Sequence, residues 1–215
     1  GIDNVLIELN GPEIPILDGS SAPFVRALSE AGIQELEAER EVFEITEPIT
    51  FEDEDTGAEY VAMPADSMEI TTMIDFNSNV LGQQFASLES MSDYAEQIAP
   101  CRTFVFLHEL EQLLNQNLIK GGDMDNAIVI ADRMMTQQEL DDLARKLGKP
   151  SVKVDKEGIL NTVDLHFPNE PARHKLLDVI GDLSLIGRYI RGKIVTKKSG
   201  HKSNIEFARL LRKKY

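Results

Sequence analysis

The stretch VFEITEPITFEDEDTGAEYVAMPADSMEITTMIDF, from Val42 to Phe76, predicts the sheet on which the fold is built. Apolar and polar residues alternate through Val42–Phe51, Ala58–Met63 and Met68–Phe76, which is the pattern of half-buried strands. The acidic run Glu52–Gly57 separates the first two strands as the turn of a hairpin. We therefore expect three strands here, of which the first two are antiparallel neighbours.

Helices and strands are mixed on both sides of this stretch. The elements predicted before it are a strand at Ile2–Leu9 and a helix at Pro23–Ala31. The elements predicted after it are, in chain order, a helix at Ser92–Ala99, a strand at Thr103–Phe106, a helix at Leu107–Asn115, a strand at Ala127–Ala131, a helix at Gln137–Leu147, strands at Val152–Asp155 and Thr162–Phe167, a helix from about Ala172 to Gly187, a strand at Lys193–Thr196 and a helix at Ser203–Lys213. Because a hairpin occurs beside helices, the class α+β is favoured over a doubly wound parallel sheet.

The composition is that of a globular protein. Of the 215 residues 42% are hydrophobic and 27% are charged, which provides enough apolar material for a core. The longest unbroken apolar run, Ala127–Ala131, is far shorter than the ~20 residues of a transmembrane helix. Cys101 is the single cysteine and cannot form an internal disulfide, which favours a reducing, cytoplasmic location.

Charge is unevenly distributed along the chain. The net charge of −15 argues against general binding of nucleic acid, because phosphate contacts are made mainly by Lys and Arg. From Arg188 to Tyr215, however, there are ten basic residues and one acidic residue, Glu206. This segment is either a basic tail of an acidic protein or a positive patch that meets an anionic small molecule such as a phosphate ester.

Three titratable residues lie at intervals of four in the predicted helix that begins near Ala172. His174, Asp178 and Asp182 project on one side of this helix, since each step of four residues turns about 400°. An imidazole and a carboxylate one turn apart can bind one Zn²⁺, and a catalytic zinc site needs a third protein ligand as well. The alternative is that His174 and Asp178 simply hydrogen-bond each other on a half-exposed face.

Two further segments contain candidate residues. His201 follows Ser199-Gly200 and is expected at the N-terminus of the last helix, where a histidine is suited to proton transfer if a carboxylate lies nearby. Thr103 begins a strand whose hydroxyl and aromatic residues could line a pocket, although the residues alone favour ordinary strand packing. The common signatures of nucleotide hydrolases, dinucleotide-binding enzymes and serine hydrolases are absent from the sequence.

Five blocks, taken together and in this order, closely resemble a known family. They are Glu13-Ile14-Pro15-Ile16-Leu17-Asp18-Gly19-Ser20-Ser21-Ala22-Pro23-Phe24-Val25, Ala99-Pro100-Cys101-Arg102-Thr103-Phe104, Gly121-Gly122 with Asp125-Asn126-Ala127-Ile128-Val129, Arg173-His174-Lys175-Leu176-Leu177-Asp178 with Gly181-Asp182-Leu183, and Lys198-Ser199-Gly200-His201. The family comprises the zinc-dependent UDP-3-O-acyl-N-acetylglucosamine deacetylases of lipid A biosynthesis in Gram-negative bacteria. The chain resembles the form that some bacteria fuse to a hydroxyacyl-carrier-protein dehydratase.

The resemblance implies a two-domain α+β fold, a layered sandwich of sheets on helices. Residues 1–40 would be the remnant of an incomplete first domain, and residues 41–215 would form the second domain. The strand–helix–strand segment at about Thr103–Ala131 would be the βαβ insert of the second domain, which walls a passage for the acyl chain.

The resemblance also implies roles for individual residues. His174 and Asp178 would bind Zn²⁺, and His201 would be the catalytic histidine, oriented by Asp182. The remaining implied roles are an oxyanion contact for Thr103, support of the same region by Lys175, an acyl-chain lining of Phe104, Phe106, Leu110 and Ile119, and a pyrophosphate contact for Lys198.

The substrate implied is a UDP-linked acylated glucosamine, and the reaction is hydrolysis of its N-acetyl amide. In the family a third zinc ligand and a glutamate base lie just upstream of the segment that is Gly1-Ile2-Asp3-Asn4-Val5 here. The sequence as given is therefore expected to bind zinc weakly and not to turn over. The alternative function is a non-catalytic module that binds the substrate or a protein.

Overall fold

The structure is a computed structural model that describes residues 1–78, 80–110, 126–146, 148, 151–155, 158–161 and 163–214. Its strands are β1 Val42–Glu44, β2 Ile49–Asp53, β3 Ala58–Met63, β4 Met68–Asp75, β5 Gln83–Leu88, β6 Phe104–Phe106, β7 Ile128–Ile130 and β8 Tyr189–Lys197. Its α-helices are α1 Ala22–Ala31, α2 Tyr94–Gln97, α3 Gln137–Lys146, α4 Glu170–Leu183 and α5 His201–Lys214. The α+β class predicted from the sequence is confirmed.

A mixed sheet of six strands organises most of the described chain. The strand order is β2-β3-β8-β4-β5, and β1 pairs in parallel with the first residues of β8. The last strand, β8, is therefore central: it runs parallel to β4 over Gly192–Lys197 and antiparallel to β3 over Lys193–Lys197. This arrangement places the end of β8, and the turn into α5, at the middle of the sheet.

One face of the sheet is buried against α4 and α5. Alternate residues of β4 and β8 point into this layer, namely Met68, Ile70, Thr72 and Ile74 together with Ile190, Gly192, Ile194 and Thr196. The helices contribute the other half of the core through Leu176, Val179 and Leu183 of α4 and Phe207, Ala208 and Leu211 of α5. Full burial of one such large apolar side chain contributes about 1.5–3 kcal/mol, so this layer fixes where α4 and α5 lie.

A second, smaller sheet consists of the parallel strands β6 and β7. Residues 107–110, directly after β6, are helical, in agreement with the predicted strand–helix–strand order. A separate apolar cluster fills this region and includes Leu107, Leu110, Val129, Leu143 and Leu160. The rest of the predicted helix, beyond residue 110, lies outside the described residues.

The structure corrects several predicted strands. Ile2–Leu9 is not a strand but an exposed segment without regular structure, and in the described part of the chain no strand pairs with it. β-branched residues favour a strand only where a neighbouring strand and a packed face stabilise it. The boundary expected near Val42 stays a prediction.

Three other predicted strands have the expected hydrophobic pattern but not the expected pairing with a neighbouring strand. The single strand expected at Val42–Phe51 is two strands, β1 and β2, separated at Pro48, which has no N–H to donate to a ladder. Val152–Asp155 makes only one isolated bridge, between Val154 and Leu160, and residues 163–167 form no strand.

The structure also contains one strand that was not predicted and shifts the ends of two predicted elements. Strand β5 was not predicted, and β8 begins at Tyr189 rather than Lys193. α4 ends at Leu183 and is followed by a short 3-10 helix, Ser184–Ile186. No helix in the described part of the chain is both long and apolar enough to cross a membrane.

Candidate active site

Helix α4 carries three titratable side chains on one side, as their spacing predicts. His174, Asp178 and Asp182 follow each other at successive turns and are largely shielded, with side-chain exposures of 12%, 11% and 17%. The opposite side of the helix is held in the core by Leu176 and Val179. The three polar groups are therefore fixed in direction by the packing of the helix.

The imidazole of His174 is oriented by the main chain. Its Nδ1 lies 3.0 Å from the carbonyl oxygen of Cys101. Because a carbonyl oxygen only accepts, Nδ1 carries the proton and Nε2 keeps a free lone pair. Burial lowers the pKa of His174 below its usual value, and the nearby Asp178 carboxylate offsets this only in part. The side chain is accordingly a neutral imidazole at neutral pH.

The carboxylate of Asp178 connects three basic groups. Its Oδ1 lies 3.5 Å from Nε2 of His174, and its Oδ2 lies 2.9 Å from Nζ of Lys175. The same Oδ2 lies 4.0 Å from Nε2 of His201, which comes from the other helix. Asp178 is thus the point at which α4 faces the start of α5.

His201 is the first residue of α5, as predicted, and its side chain is 65% exposed. Its Nδ1 donates to Oδ2 of Asp182 over 2.8 Å, which leaves Nε2 directed toward Asp178. Asp182 also accepts a hydrogen bond of 2.8 Å from Nδ2 of Asn204, one turn further along α5. A histidine and a carboxylate in this arrangement can hold and transfer a proton at Nε2.

The pair His174 and Asp178 fits a divalent metal in both donor type and separation. Two ligands at ~2.1 Å from a tetrahedral ion lie about 3.4 Å apart, and the two donor atoms here are separated by 3.5 Å. The neutral imidazole also has the hydrogen bond to a carbonyl that commonly orients metal-ligating histidines. Within the described ranges, no group of three or more His, Cys, Asp or Glu side chains is placed to hold a metal ion.

The loop before β6 is anchored by a buried ion pair. Glu170 is fully buried and accepts hydrogen bonds from Nε and the main-chain N–H of Arg102, both at 2.9 Å. This contact holds the loop that contains the Cys101 carbonyl and Thr103. Burial raises the pKa of the Cys101 thiol to about 12, so this side chain is not a nucleophile at neutral pH.

Thr103 is held by main-chain contacts on both sides. Its N–H donates to the carbonyl of Gly19 over 2.8 Å, and its own carbonyl accepts from the N–H of Ile128 over 2.8 Å. Gly19 has a φ of 80°, and a Cβ at this position would lie 1.9 Å from the carbonyl oxygen of Asn126. Glycine is therefore required here, and it brings the N-terminal segment against the candidate oxyanion residue.

An aromatic cluster lies beside Lys175. Phe104 and Phe106 are joined by Phe76, whose ring centroid lies 5.5 Å from each of theirs. The ammonium of Lys175 lies 5.8 Å from the centroid of the Phe104 ring. Leu110, expected in the same lining, packs in the separate cluster around β7, and its lining role stays a prediction. Ile119, the fourth expected lining residue, lies outside the described residues.

Lys198 lies at the turn before α5, with a φ of 54°, and its Nζ is 3.7 Å from Asp75.

The C-terminal basic residues do not form the uniform positive patch that their sequence density predicts. Most of them meet acidic residues from distant parts of the chain, in the pairs Arg188–Glu41, Arg191–Glu44, Lys193–Glu69, Lys197–Glu59, Lys202–Asp55 and Lys214–Glu47. A count along the sequence does not include these partners.

Several residues of the site were not identified from the sequence. They are Tyr60, Phe76, Arg102, Glu170 and Asn204. Phe76 continues the alternation of β4 and Asn204 lies one helical turn after His201, so both had a weak local signal. The buried contact between Arg102 and Glu170 joins residues that are far apart in the sequence, and no local pattern marks it.

Comparison with known proteins connects this geometry to one family. The chain matches the family described as LpxC, UDP-3-O-acyl N-acetylglycosamine deacetylase, over residues 1–145 and 143–213. It is 46% identical over 213 residues to a bifunctional enzyme LpxC/FabZ of Bacteroides thetaiotaomicron and 47% identical over 213 residues to one of Porphyromonas gingivalis. It is 39% identical over 210 residues to a UDP-3-O-acyl-N-acetylglucosamine deacetylase of Myxococcus xanthus.

The matches cover nearly all of this chain but not of its relatives. Each alignment with the two bifunctional enzymes includes 99% of the chain and 46% of the relative, and the alignment with the Myxococcus protein includes 97% and 59%. The chain thus spans about half the length of the curated bifunctional relatives that it matches.

Proposed function

The chain belongs to the LpxC family of UDP-3-O-acyl-N-acetylglucosamine deacetylases, and on that premise we propose that the whole protein hydrolyses the N-acetyl amide of a UDP-linked, acylated glucosamine in lipid A biosynthesis. One observation carries the proposal: His174, Asp178, Asp182 and His201 come together where α4 meets the start of α5. A pair of candidate metal ligands therefore lies beside a histidine–carboxylate pair, and metal-assisted hydrolases use these two kinds of group together.

We propose that Nε2 of His174 and the carboxylate of Asp178 bind a zinc ion, and that a further ligand comes from outside the described residues. The support is the 3.5 Å separation of the two donor atoms and the neutral state of the buried imidazole. Bound zinc polarises an amide carbonyl and lowers the pKa of a bound water. Lys175 partly neutralises Asp178 over 2.9 Å and adds positive charge beside the proposed metal site.

The second group of residues acts on protons and on developing charge. His201, with Nδ1 held by Asp182, presents Nε2 as the atom that accepts or donates a proton. In its protonated form this imidazole can stabilise an oxyanion or protonate a departing amine. Main-chain contacts with Gly19 and Ile128 hold Thr103 in place, and its hydroxyl is proposed to donate a hydrogen bond to the same oxyanion.

The substrate contacts follow from the surroundings of this centre. The rings of Phe104 and Phe106, joined by Phe76, offer an apolar surface for an acyl chain next to Lys175. Lys198 is placed on the turn that leads to His201 and is proposed to meet the pyrophosphate. Leu110 and Ile119 remain predicted lining residues.

We further propose that the whole protein acts in the cytoplasm and carries a dehydratase partner on the same polypeptide. The support for the second point is that the Bacteroides and Porphyromonas relatives are named as bifunctional LpxC/FabZ enzymes. A mass for the natural protein close to that of this chain would contradict it.

The test uses the full-length protein and a synthetic UDP-3-O-acyl-N-acetylglucosamine. We expect release of acetate that is abolished by a zinc chelator and restored by Zn²⁺. Binding of the substrate without release of acetate would favour the alternative, a non-catalytic binding module. Release that is unchanged after complete removal of metal would contradict the proposed zinc centre.

A further inference from the structure

A continuous chain of hydrogen bonds leads from the interior of the sheet to His201. The hydroxyl of Tyr60 on β3 donates to Oδ1 of Asn204 over 2.7 Å, and Nδ2 of Asn204 donates to Oδ2 of Asp182 over 2.8 Å. That same Oδ2 accepts the hydrogen bond from Nδ1 of His201. Tyr60 and Asn204 are both 1% exposed, so this series of hydrogen bonds begins in the core and ends at an exposed imidazole.

The direction of each hydrogen bond in this chain is determined. The carboxylate of Asp182 only accepts, so Asn204 turns its Nδ2 toward Asp182 and its Oδ1 toward the hydroxyl of Tyr60, which donates. Burial raises the pKa of Tyr60 to about 12, so the phenol keeps this proton at neutral pH. A carboxylate oxygen accepts from both sides, and Asp182 therefore receives one donor from Asn204 and one from His201.

The aromatic surroundings fix Tyr60 itself. Its ring lies 5.7 Å from that of Phe51 on the neighbouring strand and 5.0 Å from that of Phe207 on α5. The phenol is therefore a rigid starting point, one that ties the strand to the helix that presents His201. By contrast, the His201 side chain is largely exposed and has one close hydrogen bond in the described structure, the one to Asp182.

We propose that Tyr60 and Asn204 are positioning residues for His201, and that they act by fixing the carboxylate of Asp182. The inference rests on the proposed function, since it concerns the residue assigned to proton transfer there. Among the described residues, the hydrogen bonds and ring contacts of the Tyr60 and Asn204 side chains are with Asp182, Phe51, Phe207 and each other rather than with the candidate metal pair. Their contribution is to restrict the imidazole of His201 to the orientation and tautomer in which Nε2 faces Asp178.

The test compares two variants and one control in the full-length holoenzyme. Tyr60→Phe removes only the hydroxyl and leaves the ring packing, and Asn204→Leu replaces the amide by a group of similar size that cannot donate. The hydrogen bond that Asn204→Leu removes is made to a charged group, and such bonds are stronger than neutral ones. We therefore expect Asn204→Leu to lower kcat about tenfold or more with KM nearly unchanged, and Tyr60→Phe to lower kcat less.

The control is Tyr94→Phe, which removes the hydroxyl of a partly buried phenol that meets Ser21 at 2.7 Å on a different part of the fold. We expect it to keep the parental kcat. Loss of thermal stability with an unchanged kcat in Asn204→Leu would overturn the proposal, because the contact would then be structural only. The helix start retains a separate anchor in that variant, since Ser203 donates to Asp53 over 2.6 Å.

A second readout is independent of turnover. NMR of the imidazole nitrogens of His201 distinguishes the tautomer protonated at Nδ1 from the one protonated at Nε2. We expect the first tautomer in the parent and a mixture of the two in Asn204→Leu. If the parent does not release acetate, the proposed function fails but this measurement still decides the positioning role. An unchanged tautomer population in Asn204→Leu would overturn that role.

Discussion

Oδ1 of Asp178 lies 3.5 Å from Nε2 of His174, one helical turn earlier on α4, while the other nitrogen of that imidazole is held by the Cys101 carbonyl. The two donor atoms therefore lie at the separation that a shared tetrahedral ion requires. The alternative weighed from the sequence, a hydrogen bond between these two side chains, is not favoured by this separation, which exceeds the usual length of such a bond.

Replacement of Asp178 by Ala is expected to remove zinc from the full-length protein. One of the two proposed ligands on α4 is lost, so we expect the zinc content to fall from about one ion per chain toward none. Elemental analysis after gel filtration measures this. The control is Asp142→Ala, which removes a carboxylate on α3 that is 46% exposed and pairs with Arg145. Full zinc content in Asp178→Ala would show that this residue is not a ligand.

Replacement of His201 by Ala is expected to lower kcat without a matching rise in KM. The lost group is assigned to proton transfer, which typically contributes about 10²–10⁴-fold to the rate. The side chain is largely exposed, so the fold should tolerate the change. Steady-state kinetics measures both constants, with His166→Ala as an exposed histidine outside the site. A variant as fast as the parent would remove His201 from the mechanism.

Gly19 and Gly187 provide a matched pair of glycine variants. Their φ angles are 80° and 81°, so alanine is strained at both, at a cost of about 1–2 kcal/mol. A Cβ at Gly187 would have no neighbour within 4 Å, whereas one at Gly19 would lie 1.9 Å from the carbonyl oxygen of Asn126. We expect Gly19→Ala to lose more stability and also activity, because Thr103 is bonded to the Gly19 carbonyl.

Urea denaturation and acetate release measure the two effects of these glycine variants. Equal losses of unfolding free energy in Gly19→Ala and Gly187→Ala would show that the Asn126 carbonyl moves away at no cost. A normal kcat in Gly19→Ala would show that the position of Thr103 does not depend on this contact.

The sequence predicted strands well where one face is covered by helices. Met68–Asp75 alternates because its inward residues contact α4 and α5, and the periodicity records this burial. Residues 163–167 also alternate, with Val163 and Leu165 more buried than Asp164 and His166, yet they form no ladder. Alternation thus reports which side faces the core, and it does not report whether a neighbouring strand is available.

The candidate site was predictable to the extent that it is local. The spacing of His174 and Asp178 on one helix is sufficient to bring them together, since four residues make about one turn. The Cys101 carbonyl that orients His174 is 73 positions away, and Tyr60 is 144 positions from Asn204. Such contacts depend on how the sheet and helices pack, so no motif in the sequence contains them.

Replacement of Glu170 by Gln is expected to destabilise the fold strongly. The fully buried carboxylate accepts two hydrogen bonds from Arg102 at 2.9 Å and one of 2.7 Å from the N–H of His166. The amide would leave the guanidinium buried without its counter-charge, which costs about 3–5 kcal/mol of unfolding free energy. Urea denaturation measures the loss. Glu69→Gln, at a surface pair with Lys193, is the control and should cost far less.

The same variant makes the pH dependence of this ion pair measurable. Burial by itself would raise the pKa of Glu170, but the hydrogen bonds from Arg102 and His166 outweigh it and hold the pKa below 4.5. The unfolded chain therefore binds this proton more readily than the folded one, so the stabilisation is complete above about pH 4.5 and is lost as the pH falls through the folded-state pKa. Glu170→Gln has no such proton to bind. The difference in unfolding free energy between parent and variant should thus be constant near neutral pH and shrink below about pH 4.5. The prediction is wrong if the difference in unfolding free energy between parent and variant stays constant down to the pH at which the parent unfolds. In that case Glu170 would bind its proton equally well in the folded and the unfolded chain.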